Sequence, residues 1–325
     1  MGYTSWSDEV YSARNKTLRS KGYTDSFTHT ADVKSGKVKN KLHDSLDIKG
    51  KDRESRDSDE HPNSNAVSVL FDVTGSMSKI PKVLQTKLAK LMSMLLVKGY
   101  LSDPQVMFGG IGDATCDITP IQIGQYESGV EMDECLGNIY LEGGGGGQLT
   151  ESYELSLYYM ANHVNMDCLE KRGDKGYLFL IGDEMPYDFV KKHEVTKHIG
   201  DTPQSNISLD DLFSTLREKY HLYFIVPTDA WHGKDDRVRN KWRELVGQNL
   251  LLLDNQDLVS ELIVSTIGIN EGVVDVDGIR TDLDNADNEV NTVVKALSTV
   301  TRSKELSNAT SNRELATSSG GVESL

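Results

Sequence analysis

The sequence predicts an α/β protein: a doubly wound, mostly parallel sheet with helices on both faces, plus irregular N- and C-terminal extensions. Three observations carry this. Short aliphatic and β-branched runs recur between residues 66 and 254, and helical stretches alternate with them. That alternation is the pattern of βαβ units in one parallel sheet. The runs are apolar throughout, as strands covered on both faces are. Polar, aliphatic-poor segments flank them at both ends.

Taken in order, residues 1–61 form a polar extension. Trp6, Tyr11, Tyr23 and Phe27 are isolated anchors, and the run after Val33 has no sustained period. The segment drapes over a domain or is partly disordered; the spaced aromatics favour draping, because disordered tails seldom carry them. AVSVLFDV (66–73) is the first strand. Residues 81–98 follow as a helix, with Pro81 suited to its first turn and Val83, Leu84, Lys87, Leu88, Leu91, Leu95 and Leu96 along one stripe. QVMFGGIGD (105–113) and ITPIQIG (118–124) read as strands. The glycine run 143–147 precedes a helix starting near Thr150. GYLFLIGDE (176–184) is a strand, 209–220 a helix, 221–228 a strand, 235–246 a helix, 249–254 a strand and 257–268 a helix. The domain so delimited is 62–270. Residues 271–325 are acidic. Val290, Val293, Val294, Leu297 and Val300 share one face of a helix over 286–302, which docks on its own domain or on a partner helix. The remainder reads as a flexible tail.

The 325 residues carry a net charge of −15, with pI about 5.0. The acidity lies in the middle and at the end: 18 basic against 29 acidic side chains over 61–270, and 5 against 10 over 271–325. A nucleic-acid face built on global charge is therefore not expected. No apolar run nears the ~20 residues that cross a bilayer, and MGYTSWSDEVYSARN has no apolar signal-peptide core. Three cysteines, Cys116, Cys135 and Cys168, are too few for a disulfide framework. The expectation is a reduced, cytoplasmic chain without nucleic-acid or membrane partners.

In open α/β sheets ligands sit beyond the carboxyl ends of the strands. This sequence places there Asp72-Val73-Thr74-Gly75-Ser76-Met77-Ser78, then Gly143–Gly147 followed by Thr150 and Glu151, then Gly182-Asp183-Glu184, with Asp113 after the second strand. In the first loop a carboxylate and two hydroxyls alternate at 72, 74 and 76. Gly75 lets the loop turn tightly enough for those oxygens to converge. Hard divalent cations want such a mixture of anionic and neutral oxygens.

DVTGSMS resembles the DxSxS-type metal-ion-dependent adhesion site of von Willebrand factor A (vWA) domains, with Thr74 in the middle place. The resemblance covers roughly residues 62–270 and is closer to intracellular bacterial or phage members than to secreted adhesion proteins. It implies that Thr150 is the threonine of a second loop, with Ser152 as its rival, and that Asp183 is the aspartate of a third strand end. Asp72, Thr74, Ser76, Thr150 and Asp183 would then hold Mg²⁺ or Mn²⁺, and a partner's Asp or Glu would complete the coordination. The implied function is a non-enzymatic, metal-dependent protein-interaction module, such as an adaptor for an AAA+ ATPase or for macromolecular assembly.

Other readings stand beside this one. DVTGS also resembles the DKTGT of P-type ATPases in the haloacid-dehalogenase superfamily, which would make Asp72 a phosphorylated nucleophile and Asp183 and Asp188 the ligands of Mg²⁺. Against it, Val73 and Thr74 stand where a lysine and a general acid are wanted. A structural or virion-associated protein with a metal for stability alone is a third reading. Asp72 and Asp183 could merely cap helices, Asp113 could hold a metal-bound water or be a plain loop carboxylate, and Glu151 and Glu184 read as ordinary helix-start or loop residues. His193, Glu194 and His198 miss the HExxH spacing by one residue, so the two histidines face apart. Gly143–Gly147 lacks the lysine of a phosphate loop. Cys135 and Cys168 read as small buried hydrophobes, and Trp231 and Trp242 as core.

Overall fold

A computed structural model describes residues 4–144 and 149–300. The chain begins with helices α1 (Asp8–Ser20) and α2 (Thr28–Lys34) and strand β1 (Arg53–Ser55). The central strand β2 (Asn65–Asp72) leads through a short 3-10 turn at Gly75–Met77 into α3 (Ile80–Thr86) and α4 (Leu88–Leu96). Next come β3 (Pro104–Ile111), β4 (Ile121–Ile123), α5 (Glu131–Asn138), β5 (Thr150–Glu151), α6 (Tyr153–Asn162), β6 (Val164–Met166) and α7 (Asp167–Arg172). They are followed by β7 (Gly176–Ile181), β8 (Met185–Pro186), β9 (Phe189–Val190), α8 (Lys192–His198), β10 (Ile207–Ser208), α9 (Leu209–Lys219) and β11 (Tyr220–Pro227). α10 (Asp236–Val246), β12 (Leu250–Leu253), α11 (Val259–Glu271), α12 (Val276–Asp282) and a helix α13 over 287–300 complete the described chain.

The fold is mixed α/β around a six-stranded sheet in the order β12-β11-β7-β2-β3-β4. Every pairing is parallel except β3 with β4. β2 is flanked by β3 at Asp72↔Ile111 and by β7 at Phe71↔Ile181. The chain leaves β2 toward one edge and returns on its other side as β7, so the strand order reverses beside β2. A crevice at the carboxyl ends of β2 and β7 follows from that reversal.

Successive residues of a strand face opposite ways, and β2 feeds two cores. Val67, Val69 and Phe71 pack with Leu84, Leu88, Leu91 and Leu262 of α3, α4 and α11. Ala66 and Leu70 pack with Leu157, Leu212 and Trp242 of α6, α9 and α10. The continuous apolar runs are thus buried on both faces. The helix expected over 81–98 is two: Lys87 has φ −100° and ψ 8°, which ends α3 and starts α4.

The N-terminal extension packs over the domain, as its spaced aromatics favoured, but the expectation that it is irregular is corrected. α1 is capped by Ser7, whose side chain accepts the Val10 N–H at 3.3 Å, and β1 pairs in parallel with β6. Tyr11, Phe27, Leu46 and Ile48 are buried. Polar contacts fasten the segment where apolar residues are sparse: Arg14 to Asp133 at 2.7 Å, and Arg53 Nε to the Ile123 carbonyl at 3.0 Å. At the other end, Val290, Val293, Leu297 and Val300 are buried in the same core as α3, α4 and α11. The apolar face of α13 therefore covers its own domain. The C-terminal part up to residue 300 is not irregular either; the expected tail lies outside the described residues. Among the described residues, no helix is long and apolar enough to cross a membrane.

Candidate functional site

Four of the five residues expected to hold a metal converge at the crevice. Asp72, at the end of β2, is fully buried. Its Oδ1 accepts the Thr74 N–H at 2.6 Å, and its Oδ2 accepts the Tyr153 hydroxyl at 3.4 Å. The first bond is an Asx-type turn that folds the loop back over the strand end. Ser76 Oγ donates to Asp183 Oδ1 at 2.9 Å, and the His232 N–H donates to Asp183 Oδ2 at 2.8 Å. Thr74 is 3 % exposed, and its hydroxyl, although beside Asp72, makes no hydrogen bond of good geometry among the described residues. The start of the glycine run lies along this loop: the Gly75 N–H donates to the Gly144 carbonyl at 2.9 Å, and the Gly143 N–H to that of Val73 at 3.3 Å.

Thr150 is placed differently. It lies in β5, opposite Met185 of β8, and its side chain is directed at the Tyr187 hydroxyl. Its rival Ser152 is buried, and its Oγ accepts the Ala114 N–H at 2.9 Å. The next residue after Thr150 faces the crevice instead. Glu151 is buried there with Glu184, and one carboxylate oxygen from each lies within 4.8 Å of an Asp72 oxygen and of the other. Reading Glu151 and Glu184 as ordinary helix-start or loop residues is therefore corrected. The short β5–β8 pairing brings them together across 33 positions, and that pairing is invisible to local patterning.

Burial dominates the electrostatics. It pushes the Asp72 carboxyl up to about 7; the adjacent Thr74 hydroxyl and the Thr74 N–H hold it lower, and the Asp183 charge raises it. Burial, then the Asp72 and Glu184 charges, push Glu151 up to about 12. Burial, then Asp72 and Asp183, push Glu184 to about 8. Carboxylates this close and this dry cannot all ionise at neutral pH without a counter-charge. His232 stands at the edge of the cluster, its Nε2 4.0 Å from Glu184 Oε1. The Trp242 Nε1–H donates to the Glu184 carbonyl at 2.7 Å and fixes that strand end.

Residues from the other readings fall elsewhere. Asp188 has a 78 % exposed side chain and sits 3.3 Å from Lys241. Asp113 is buried; its Oδ2 accepts the Tyr187 hydroxyl at 3.0 Å and its Oδ1 the Thr115 N–H at 2.8 Å. Cys168 is buried and Cys135 partly so. Trp242 is core, but Trp231 is 85 % exposed, which corrects the expectation for it. Trp231 lies in the loop before α10, whose start is set by the Asp235 cap, rather than on a helix.

No family model matches the sequence, and no curated protein matches it. Among solved structures, the pilus adhesin SpaC from Lactobacillus rhamnosus GG in its open conformation is similar at 11 % identity and a TM-score of 0.45, over 68 % of this chain and 31 % of that one. Proximal thread matrix protein 1 from the mussel byssus is similar at 9 % identity and a TM-score of 0.40, over 64 % of this chain and 46 % of that one. The chain thus spans under a third of the adhesin's length and under half of the byssus protein's.

Proposed function

We propose that this chain is a metal-dependent protein-interaction module of vWA type, with a doubly wound sheet whose carboxyl edge holds Mg²⁺ or Mn²⁺. The observation that carries the reading is the buried Thr74 hydroxyl, without a hydrogen bond of good geometry among the described residues, beside Asp72 and the Ser76–Asp183 pair. A hydroxyl so buried normally finds a partner, because its desolvation is otherwise uncompensated. A hard cation coordinated by oxygens would supply one. The residues present fit such an ion: Asp72, Thr74, Ser76 and Asp183 would hold it, directly or through water. Thr150 is the weakest member, since its side chain is directed at Tyr187.

When bound, the cation supplies a local positive charge to a partner's Asp or Glu. Without it, the acidic domain repels that partner; with it, that repulsion is reduced at the crevice. Among Asp72, Thr74 and Ser76, Ser76 is the most accessible, and the Asp183 carboxylate orients it. The phosphotransferase reading wants Asp188 at the site, and that carboxylate is exposed beside Lys241. A cytoplasmic setting and an AAA+ ATPase partner belong to the proposal by family resemblance.

The test is capture from lysate of the source organism by the full chain, in Mg²⁺ and in EDTA. The expected result is a partner held in Mg²⁺, released by EDTA and lost with Ser76→Ala. A partner held equally in EDTA, or equally by Ser76→Ala, would contradict the reading.

A further inference from the structure

Glu151 and Glu184 have no part in the loop motif, yet the fold buries both against Asp72. They are 2 % and 8 % exposed, and the three carboxylates each offer an oxygen within 4.8 Å of the other two. β5 and β8 hold them there through Thr150↔Met185 and Glu151↔Pro186. A second observation is independent of this proximity. Among the described residues, Glu151 Oε2, Glu184 Oε2 and Thr74 Oγ1 make no hydrogen bond of good geometry, each on a residue more than nine-tenths buried. A shared proton satisfies one such oxygen. A divalent cation satisfies several at once and offsets their charge.

We propose that Asp72, Glu151 and Glu184 hold a second divalent cation beside the one proposed for the hydroxyl loop, with Asp72 common to both. The inference rests on that reading for the first position. Charge supports two ions over one. Asp72, Glu151, Asp183 and Glu184 bring four carboxylates to one crevice, and a single divalent ion leaves two negative charges facing an acidic partner. A second ion neutralises the set, so the outer ion can attract a carboxylate. The all-oxygen ligands select the hard class of Mg²⁺, Mn²⁺ or Ca²⁺.

The experiment is a Mn²⁺ titration of the full chain, with free Mn²⁺ read by electron paramagnetic resonance. Wild type is expected to bind two ions. The double variant Glu151→Gln, Glu184→Gln is expected to bind one fewer, and Thr74→Val, Ser76→Ala to lose the other. A Gln variant that keeps the wild-type number and affinity overturns the proposal. So does loss of the same single ion in both variants, which means one shared cation. An unchanged number in Thr74→Val, Ser76→Ala removes the hydroxyl position and leaves the carboxylate one standing. In EDTA the Gln variant should melt at or above wild type, because buried repulsion is relieved. If it does not fold, Glu184→Gln alone should weaken one Mn²⁺ at least tenfold, and unchanged affinity overturns the proposal.

Discussion

Gly182 joins the sheet to the candidate site, and its replacement by alanine tests how tightly the two are packed. It lies between Ile181, the last residue of β7, and Asp183. A Cβ added there would fall 1.8 Å from Tyr153 Oη and 2.7 Å from Cζ. Non-bonded contacts settle near 3.5–4.0 Å, so ring or strand must shift by roughly an ångström or more. The ring has little room. Tyr153 is fully buried, edge-on to Phe224 at 5.6 Å and to Trp242 at 5.3 Å. Overpacking of this kind costs about 1–3 kcal/mol. At roughly 2–4 °C per kcal/mol, Gly182→Ala should lower Tm by about 2–12 °C. Thermal unfolding in EDTA, followed by circular dichroism, reads this without the contribution of a metal. Tyr153→Phe removes Oη but leaves the contact at Cζ, so the double variant should recover part of the loss, with a coupling of about 0.5 kcal/mol or more. A Gly182→Ala protein melting within about 1 °C of wild type, or strictly additive single effects, would refute the packing argument.

Leu297 is fully buried where α13 meets the core; Leu297→Ala should cost about 2–5 kcal/mol in urea unfolding, and an unchanged midpoint would mean that α13 is not docked. Trp242→Phe removes the donor to the Glu184 carbonyl and should cost at least about 1–3 kcal/mol for the orphaned acceptor alone; equal stability would show that this bond is dispensable. His163 lies 2.8 Å from Asp52 and 2.7 Å from Asp201. Burial lowers its pKa, but hydrogen bonds to Asp201 and Asp52 outweigh that and raise it overall. A raised folded-state pKa contributes stability that is complete below the unfolded value near 6.5 and is lost as pH rises through the folded one. The stability advantage of wild type over His163→Gln should therefore shrink with rising pH; an advantage that grows would reverse the assignment.

The sheet was legible because its strands are buried on both faces. AVSVLFDV, GYLFLIGDE and HLYFIVPT are apolar throughout, and such runs need no partner in view to be recognised. Three features were not legible, each for a physical reason. The break at Lys87 carries neither Pro nor Gly, so no local signal marks it. The ordered N-terminal segment is held by scattered anchors such as Phe27 and by arginine contacts to distant carbonyls and carboxylates, which leave no period in the sequence. At the site, the proximity of Asp72, Thr74, Ser76 and Asp183 was legible because one short loop and one strand end carry them. Thr150 and Glu151 differ by one position, and in a strand one position exchanges faces. Parity there is set by the pairing with Met185 and Pro186. The two further buried carboxylates of the crevice, Glu151 and Glu184, thus become visible only once β5 and β8 are paired. A sharper sequence signal was nonetheless present: each glutamate directly follows a proposed ligand at a strand end.

The central claim is that the crevice at β2 and β7 binds a divalent cation through Asp72. The most direct measurement is Tm in 10 mM MgCl₂ against EDTA for wild type and Asp72→Asn, with the concentration set to about 100 times a Kd on the order of 0.1 mM. Binding to the folded state alone then stabilises wild type by about 2.7 kcal/mol. The account predicts a higher Tm in Mg²⁺ for wild type and no difference for Asp72→Asn, whose buried amide removes one charge from the cluster. The same Tm for wild type in Mg²⁺ and EDTA, or an equal gain in Asp72→Asn, would contradict it.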